Sequence, residues 1–382
     1  MGTTGVSRRL GVARALVGGR LVGGDVEVTD GVVTRVGLPP AVGGGTAAPG
    51  LVDLQVNGFD GVDLMGADAD AVRHVARALA SHGVTAWLPT LITAEPAATE
   101  RALRVLGEVA AAGPGPGEAR VLGVHLEGPF LSARRLGTHP PEHRRDPDPA
   151  LLARWLDLAP VVAVTLAPEL PGALATVRRL AAAGVRVSLG HSQATAAEAH
   201  AGFDAGASAV THVFNAMSPL HHREPGLPGA ALARPGVLVQ LVVDGHHLAD
   251  DVVRVVWAAA AGRTVLVTDA TAASAQPDGR FALAGVDLTV RDGAVRNPQG
   301  VLAGSALTLD RAVQNARALG LGEASVLQAA TASPAAWLGR ADVGVLEPGA
   351  RADLVVLDEA LAVRQVLLAG VPLETAPQEV PA

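Results

Sequence analysis

Residues 121–127 read Val121-Leu-Gly-Val-His-Leu-Glu127, an apolar run that stops abruptly at a carboxylate. Three more stretches share the design: Val185-Arg-Val-Ser-Leu-Gly-His191, Ala209-Val-Thr-His212 and Val265-Leu-Val-Thr-Asp269. One such run carries little information. Four of them, spread through the middle of one chain and separated by helical patterns, predict parallel strands aiming one Glu, two His and one Asp at a common point. Open parallel sheets and closed barrels both keep their chemistry at the carboxyl ends of the strands.

Working outward, apolar runs begin near Leu51, Val84, Val121, Val161, Val185, Ala209, Val237 and Thr264. Ala/Leu/Arg/Glu-rich helical stretches lie between most of them, as at 69–80, 99–112, 172–183 and 194–205. Gly83, Gly184 and Gly206 stand just past three of these helices, where left-handed caps favour glycine. Eight strand-like runs alternating with helices over roughly 250 residues predict an α/β fold, a (β/α)8 TIM-like barrel. A doubly wound parallel sheet is the weaker alternative. Residues 281–301 break the rhythm and read as a β-hairpin inserted near 280–302, after which helices resume at 307–319 and 323–332. Short strands separated by Gly-Gly and Asp30-Gly31 turns fill 13–36, a Gly/Pro-rich connector runs from Pro39 to Gly50, and strands return at Asp353-Leu-Val-Val-Leu and Val363-Arg-Gln-Val-Leu-Leu. The simplest assembly pairs the ends into one small β-sandwich domain, from residues 1–48 and 341–382, flanking a barrel at 49–340.

The 382 residues are 49% apolar and 18% charged, enough for a large core and against bulk disorder. A net charge of −7 argues against nucleic-acid or anionic-membrane partners, yet a few local cations suffice for one phosphate. Cysteine, lysine and tyrosine are all absent. That excludes disulfides, thiolate zinc sites, cysteine nucleophiles, Schiff bases and carboxylated lysine, and with them a lysine-dependent aldolase. No secretory leader and no apolar stretch of ~20 residues is visible, so the expected location is the cytoplasm. Met1-Gly2 opens like a myristoylation signal, but Val6 stands where Ser or Thr is required.

A lone strand-end glutamate is as often solvated as it is a ligand, and a lone buried histidine is more often a core residue. Glu127, His191 and His212 gain weight together because they fall at equivalent ends of strands three, five and six. Two His and one Glu form a standard catalytic zinc set with a position left open. Asp269, at the end of the eighth run, reads either as a helix N-cap or as the acid/base beside that metal, able to take a proton from water and return it to a leaving amine. The first run ends Asp53-Leu-Gln55-Val-Asn57. Many metal hydrolases on this barrel carry His-x-His there; amides are poor zinc ligands, so a single metal ion is expected. Arg223, in the His221-His222-Arg223 loop, reads as an anion clamp, since guanidinium forms paired hydrogen bonds to phosphate. His221 and His222 read as surface residues.

Taken together, His125-Leu-Glu-Gly-Pro-Phe130, Gly190-His-Ser192, Thr211-His-Val-Phe-Asn-Ala-Met217, Arg223-Glu-Pro-Gly226, Val267-Thr-Asp-Ala270 and Leu302-Ala-Gly-Ser-Ala-Leu-Thr308 resemble the N-acetylglucosamine-6-phosphate deacetylase family of the amidohydrolase superfamily. The resemblance covers nearly the whole chain, including Gly349-Ala-Arg-Ala-Asp-Leu-Val-Val-Leu357. It implies one divalent ion, Zn2+ first with Fe2+, Co2+ or Mn2+ as alternatives, on Glu127, His191 and His212, with Asp269 as acid/base. It implies that His247 polarises the acetyl carbonyl or holds the substrate. Thr138, His139, Asn215, Ala216 and Arg223 would hold the sugar phosphate, and Leu302, Ala303 and Gly304 would close over it. A small-molecule sugar phosphate as substrate and a homodimer follow from the same resemblance. One departure is visible: Leu136 stands before Gly137-Thr-His139, where the family often has Lys. The expected reaction is hydrolysis of N-acetyl-D-glucosamine 6-phosphate to D-glucosamine 6-phosphate and acetate. The rivals are the galacto-configured substrate and a non-catalytic sugar-phosphate binder.

Overall fold

Eight parallel strands begin where the apolar runs begin. They are β1 (Leu51–Val56), β2 (Val84–Ile92), β3 (Val124–Glu127), β4 (Val161–Leu166), β5 (Arg186–Leu189), β6 (Ala209–Val210), β7 (Leu238–Leu241) and β8 (Thr264–Leu266). The computed structural model describes residues 7–39 and 43–373; the Met1-Gly2 and Val6 reading lies outside them. Each strand pairs in parallel with the next, β1 with β2 through β7 with β8. The circle closes at a parallel bridge between Val56 and Ala270. The chain is therefore a TIM-like barrel. The register sets Ile92 beside Glu127 and Glu127 beside Thr165, so the carboxyl ends of neighbouring strands open onto one mouth.

The helices form for local reasons. In Ala69–Ser81 the buried positions are Val72, Val75, Ala76, Leu79 and Ala80, one stripe at helical spacing. Asp68 caps it by accepting the Ala71 N–H, and Gly83 follows at φ 83°. In Ala196–Asp204, Thr195 and Glu198 form a reciprocal capping box, worth about 1 kcal/mol, which fixes how the loop after β5 enters its helix.

The ends of the chain build two small sheets. One runs Ser7–Arg9, Asp25–Thr29, Val32–Leu38; the other has six strands and joins Thr46–Pro49 to Leu354–Leu357 antiparallel. Val26, Val33, Leu354 and Leu367 are among the residues packed in the core between them, so the two sheets form a sandwich.

Three expectations need correction. The connector from Pro39 to Gly50 contains the strand Thr46–Pro49, buried throughout and paired on both sides. Thr-Ala-Ala-Pro has little intrinsic strand preference, and its neighbours in the sheet impose the conformation. The insertion is a three-stranded sheet, Arg280–Leu283, Val286–Arg291 and Ala294–Arg296, rather than a hairpin. The helix expected at 323–332 breaks into Glu323–Ala329 and Ala332–Leu338, because Thr331 leaves helical geometry at φ −134° and ψ −86°. Among the described residues no helix is long and apolar enough to cross a membrane.

Candidate active site

Glu127 ends β3, and His191, His212 and Asp269 stand two or three residues past β5, β6 and β8. The last three share an unusual backbone: φ is 47° at His191, 28° at His212 and 51° at Asp269. Left-handed geometry costs a residue with a Cβ roughly 1–2 kcal/mol. It turns each side chain out of the strand line and over the barrel axis. Strain of this kind concentrates at functional sites, where surrounding bonds hold it. Here Glu169 accepts from the Ser192 hydroxyl and the Gln193 N–H, both at 2.7 Å, and so pins the turn that carries His191. The Asp269 turn makes the N-cap reading untenable, since a loop rather than a helix follows it.

The two histidines converge on one oxygen. Nε2 of His191 lies 3.1 Å, and Nε2 of His212 3.0 Å, from Glu127 Oε1. Two ligand atoms about 2.0–2.2 Å from a common tetrahedral ion stand only about 3.3 Å apart, and each of these two spacings is close to that. Burial opposes ionisation of Glu127, but the hydrogen bonds and charges of the two histidines outweigh it and hold the carboxylate well below its usual range. Burial likewise disfavours the charged form of His212, yet the bond and charge from Glu127 win and raise its pKa.

His139 also reaches this cluster: Glu127, His139 and His191 each offer a ligand atom within 4.8 Å of the others. Hydrogen bonding separates the histidines. His191 Nδ1 faces the Arg135 carbonyl oxygen at 2.9 Å, so it carries the proton and leaves Nε2 with a lone pair for a cation. His139 Nδ1 accepts the Thr93 N–H at 3.2 Å, so its lone pair is spent. Burial pushes the His139 pKa down to about 3, and the neutral ring offers an N–H from Nε2. Hydrogen bonding thus makes His139 a donor at the cluster's edge and leaves His191 Nε2, beside Glu127, free to face a cation.

Asp269 sits against this cluster. Its Oδ1 accepts from Asn57 Nδ2 at 2.7 Å and from Gln55 Nε2 at 3.0 Å. Gln55 Nε2 also reaches Glu127 Oε1 at 3.0 Å. An amide thus bridges two carboxylates where a second cation would otherwise be needed. Burial, reinforced by the charge of Glu127, pushes the Asp269 carboxyl up to about 6. That value suits a group that must both take and return a proton near neutrality.

A cavity of about 380 Å³ opens above these groups, within the range of small-ligand pockets. Of the residues expected to hold substrate, Thr138, His139, Asn215, Ala216, His247, Leu302 and Gly304 line it. Ala303 does not; it is buried in the small core under the insertion sheet. Arg223 does not either. It lines a separate hollow with Gln193, Thr195 and Glu224, and its side chain has no partner among the described residues. Asn215 spends its amide N–H groups on the carbonyls of His212 and Val213, both 3.2 Å away, which leaves its oxygen as an acceptor. The Thr138 hydroxyl is buried without a partner.

Sequence reasoning passed over several residues here. Asp244 Oδ2 takes a 2.7 Å hydrogen bond from His247 Nδ1 and so turns Nε2 of that ring toward the pocket. The spacing Asp244-Gly-His-His247 was a possible signal, since an aspartate commonly accepts the N–H groups two and three residues on, as it does here. Arg134 and Arg135 line the cavity and supply its permanent positive charge. His125, in the middle of β3, points elsewhere and bonds Thr165 Oγ1 at 2.8 Å.

Comparison with known proteins identifies the family. The profile of the amidohydrolase family matches residues 46–375. The chain is 39% identical over 353 residues to an N-acetylgalactosamine-6-phosphate deacetylase of Escherichia coli O157:H7, covering 90% of this chain and 93% of that one. It is 40% identical over 344 residues to the human N-acetylglucosamine-6-phosphate deacetylase, covering 86% and 83%. The fold superposes with a TM-score of 0.90 on an Asp→Ala variant of the Mycobacterium smegmatis N-acetyl-D-glucosamine-6-phosphate deacetylase in complex with N-acetyl-D-glucosamine-6-phosphate, at 36% identity over 96% of this chain and 99% of that one. The chain belongs to the amidohydrolase family and groups there with the N-acetylglucosamine-6-phosphate deacetylases.

Proposed function

We propose that this protein hydrolyses N-acetyl-D-glucosamine 6-phosphate to D-glucosamine 6-phosphate and acetate. The observation that carries the reading is Asp269, with its carboxyl raised to about 6, beside Glu127, on whose Oε1 the Nε2 atoms of His191 and His212 converge. Glu127, His191 and His212 would hold a divalent ion, zinc by its donor chemistry, which would supply electrophilic activation. Iron, cobalt and manganese suit the same donors.

This chain's own residues do the rest. Asp269 accepts a proton from water as the water oxygen bonds to the carbonyl carbon. The carbon–nitrogen bond then breaks, and Asp269 returns the proton to the departing amine, leaving acetate and a free amino sugar. His247, its Nδ1 held by Asp244, presents Nε2 to the substrate and holds it in place. His139 and the Thr138 hydroxyl donate to the sugar, and Asn215 accepts from it. Leu302 and Gly304 cover the ring and limit water. Acetate release from the purified, metal-loaded protein tests the reading. No release, or an Asp269→Asn variant with undiminished turnover, would sink it.

A galacto-configured substrate is the second reading, because relatives of both names match at nearly equal identity. Competing the two sugars in one assay decides between them. We also propose a homodimer in which Arg223 serves the partner's pocket. It supports this that Arg223 lies outside its own pocket and that Leu220 nearby is 49% exposed. A phosphorylated sugar is charged and is retained inside the cell, so we place the enzyme in the cytoplasm.

A further inference from the structure

The barrel has a seam. Between β8 and β1 the ladder contact among the described residues is the single bridge Val56↔Ala270, beyond the end of β8. Below that bridge a side chain takes over the pairing. Asp53 Oδ2 accepts the Thr268 hydroxyl at 2.7 Å, and Oδ1 accepts the Thr268 N–H at 3.3 Å and the Gln55 N–H at 3.2 Å.

Asp53 is fully buried, and no cation pairs with it among the described residues. A buried carboxylate without a counter-charge is costly, and burial pushes this one up to about 7. An apolar side chain would fill the space without that cost. What the carboxylate offers instead is acceptors, and it spends them on the residue just before Asp269. The Asp269 turn is strained and is held from its other side by Ser305, whose hydroxyl donates to the Thr268 carbonyl at 2.6 Å and whose N–H donates to the Asp269 carbonyl at 2.8 Å. Two residues along β1 from Asp53, Gln55 sends its amide to Asp269 Oδ1. One buried carboxylate therefore grips both the backbone that carries Asp269 and the strand that carries its amide partner.

We propose that Asp53 is a positioning residue: by accepting both Thr268 donors across the barrel seam, it holds Asp269 in the left-handed turn that aims its carboxylate into the pocket. This rests on the reading that Asp269 carries the proton. A misplaced proton carrier slows the chemical step, by on the order of 10²-fold for a displacement near 1 Å, while substrate contacts elsewhere stay intact.

The test measures kcat, KM and metal content of D53N, T268V and T268S. D53N and T268V should each lose roughly 10- to 100-fold in kcat, with KM within about threefold and metal content unchanged. T268S keeps the hydroxyl and should stay within about threefold of the parent. The D53N/T268V double variant should be slowed by less than the product of the two single effects, because both variants remove the bond between the Thr268 hydroxyl and Asp53, while T268V also removes the hydroxyl's bonds to the Gln55 carbonyl and the Ala270 N–H. The proposal is overturned if D53N and T268V keep their kcat, if T268S is as slow as T268V, or if activity falls only in proportion to lost metal or lost folded protein. Should D53N fail to fold, D53S takes its place beside T268V and T268S, because the Thr268 hydroxyl also bonds the Gln55 carbonyl and the Ala270 N–H and only a change at Asp53 isolates the carboxylate. D269N separates the two levels: an active D269N sinks the proposed function, whereas an inactive D269N beside a fast T268V sinks only the role of Asp53.

Discussion

His191 Nδ1 lies 2.9 Å from the carbonyl oxygen of Arg135, and that bond decides what the other nitrogen of the ring can do. His139, with its ring centroid 4.4 Å from that of His191, is bonded the opposite way. The two rings are neighbours with reversed tautomers, and on the proposed reading one is a ligand and the other a donor. His191→Ala and His212→Ala should therefore lose bound metal after dialysis, by at least the 10- to 100-fold in affinity that even supporting residues command. His139→Ala should keep its metal and lose turnover or substrate affinity instead. Elemental analysis of the three proteins checks this, and equal metal loss in His139→Ala would reverse the assignment.

Asp269 must be ionised to take the first proton, and burial together with Glu127 raises its carboxyl to about 6. The value of kcat/KM should fall tenfold per pH unit below the Asp269 pKa, which is about 6 without a metal ion and lower beside a bound cation. The 2.7 Å bond from Asn57 favours the carboxylate, so removing it must move the limb to higher pH. Asn57→Leu should shift the acidic limb upward by up to roughly one unit. A limb that stays put or moves down contradicts the account.

Asp53 makes a separate prediction about stability. Its folded-state pKa is about 7 against an ordinary 3.8, so between those values the folded protein holds a proton that the unfolded chain has released. Stability contributed by this group is therefore full below pH 4 and declines as pH rises toward 7, by on the order of a few kcal/mol if nothing relaxes. Denaturant midpoints across pH 4–8 should decline less steeply in D53N than in the parent. Identical slopes would mean that Asp53 is not the group responsible.

Arg223 reports on assembly. R223Q should bind substrate poorly and D269N should not turn over, so each alone is weak. If Arg223 reaches the partner's pocket, mixing and re-equilibrating the two should recover activity, because a hybrid dimer pairs one intact Asp269 with one intact Arg223. Activity equal to the sum of the separate proteins would return Arg223 to a surface role.

Much of the site was legible because strand ends are legible. Val121 to Glu127 and its three counterparts are apolar runs cut off by a polar residue, and parallel strands buried on both faces read that way. Eight such runs predict the barrel, and Gln55 with Asn57 argue for one metal from residue type alone. Thr46–Pro49 was invisible because its strand conformation comes from two neighbours distant in sequence.

Residue identity and spacing alone determined which groups could reach the barrel mouth, since period-two alternation and strand termination are local properties. Tertiary structure decided what each group is there. Whether His191 or His139 is the ligand depends on which backbone atom meets Nδ1, a carbonyl from the loop after β3 or an N–H at the end of β2. Whether Asp269 can move a proton depends on desolvation and on Glu127, 142 positions away in sequence numbering (269 minus 127). Hydrogen-bond polarity and local dielectric are set by atoms that only folding brings together, and so this part of the chemistry could not be read along the chain.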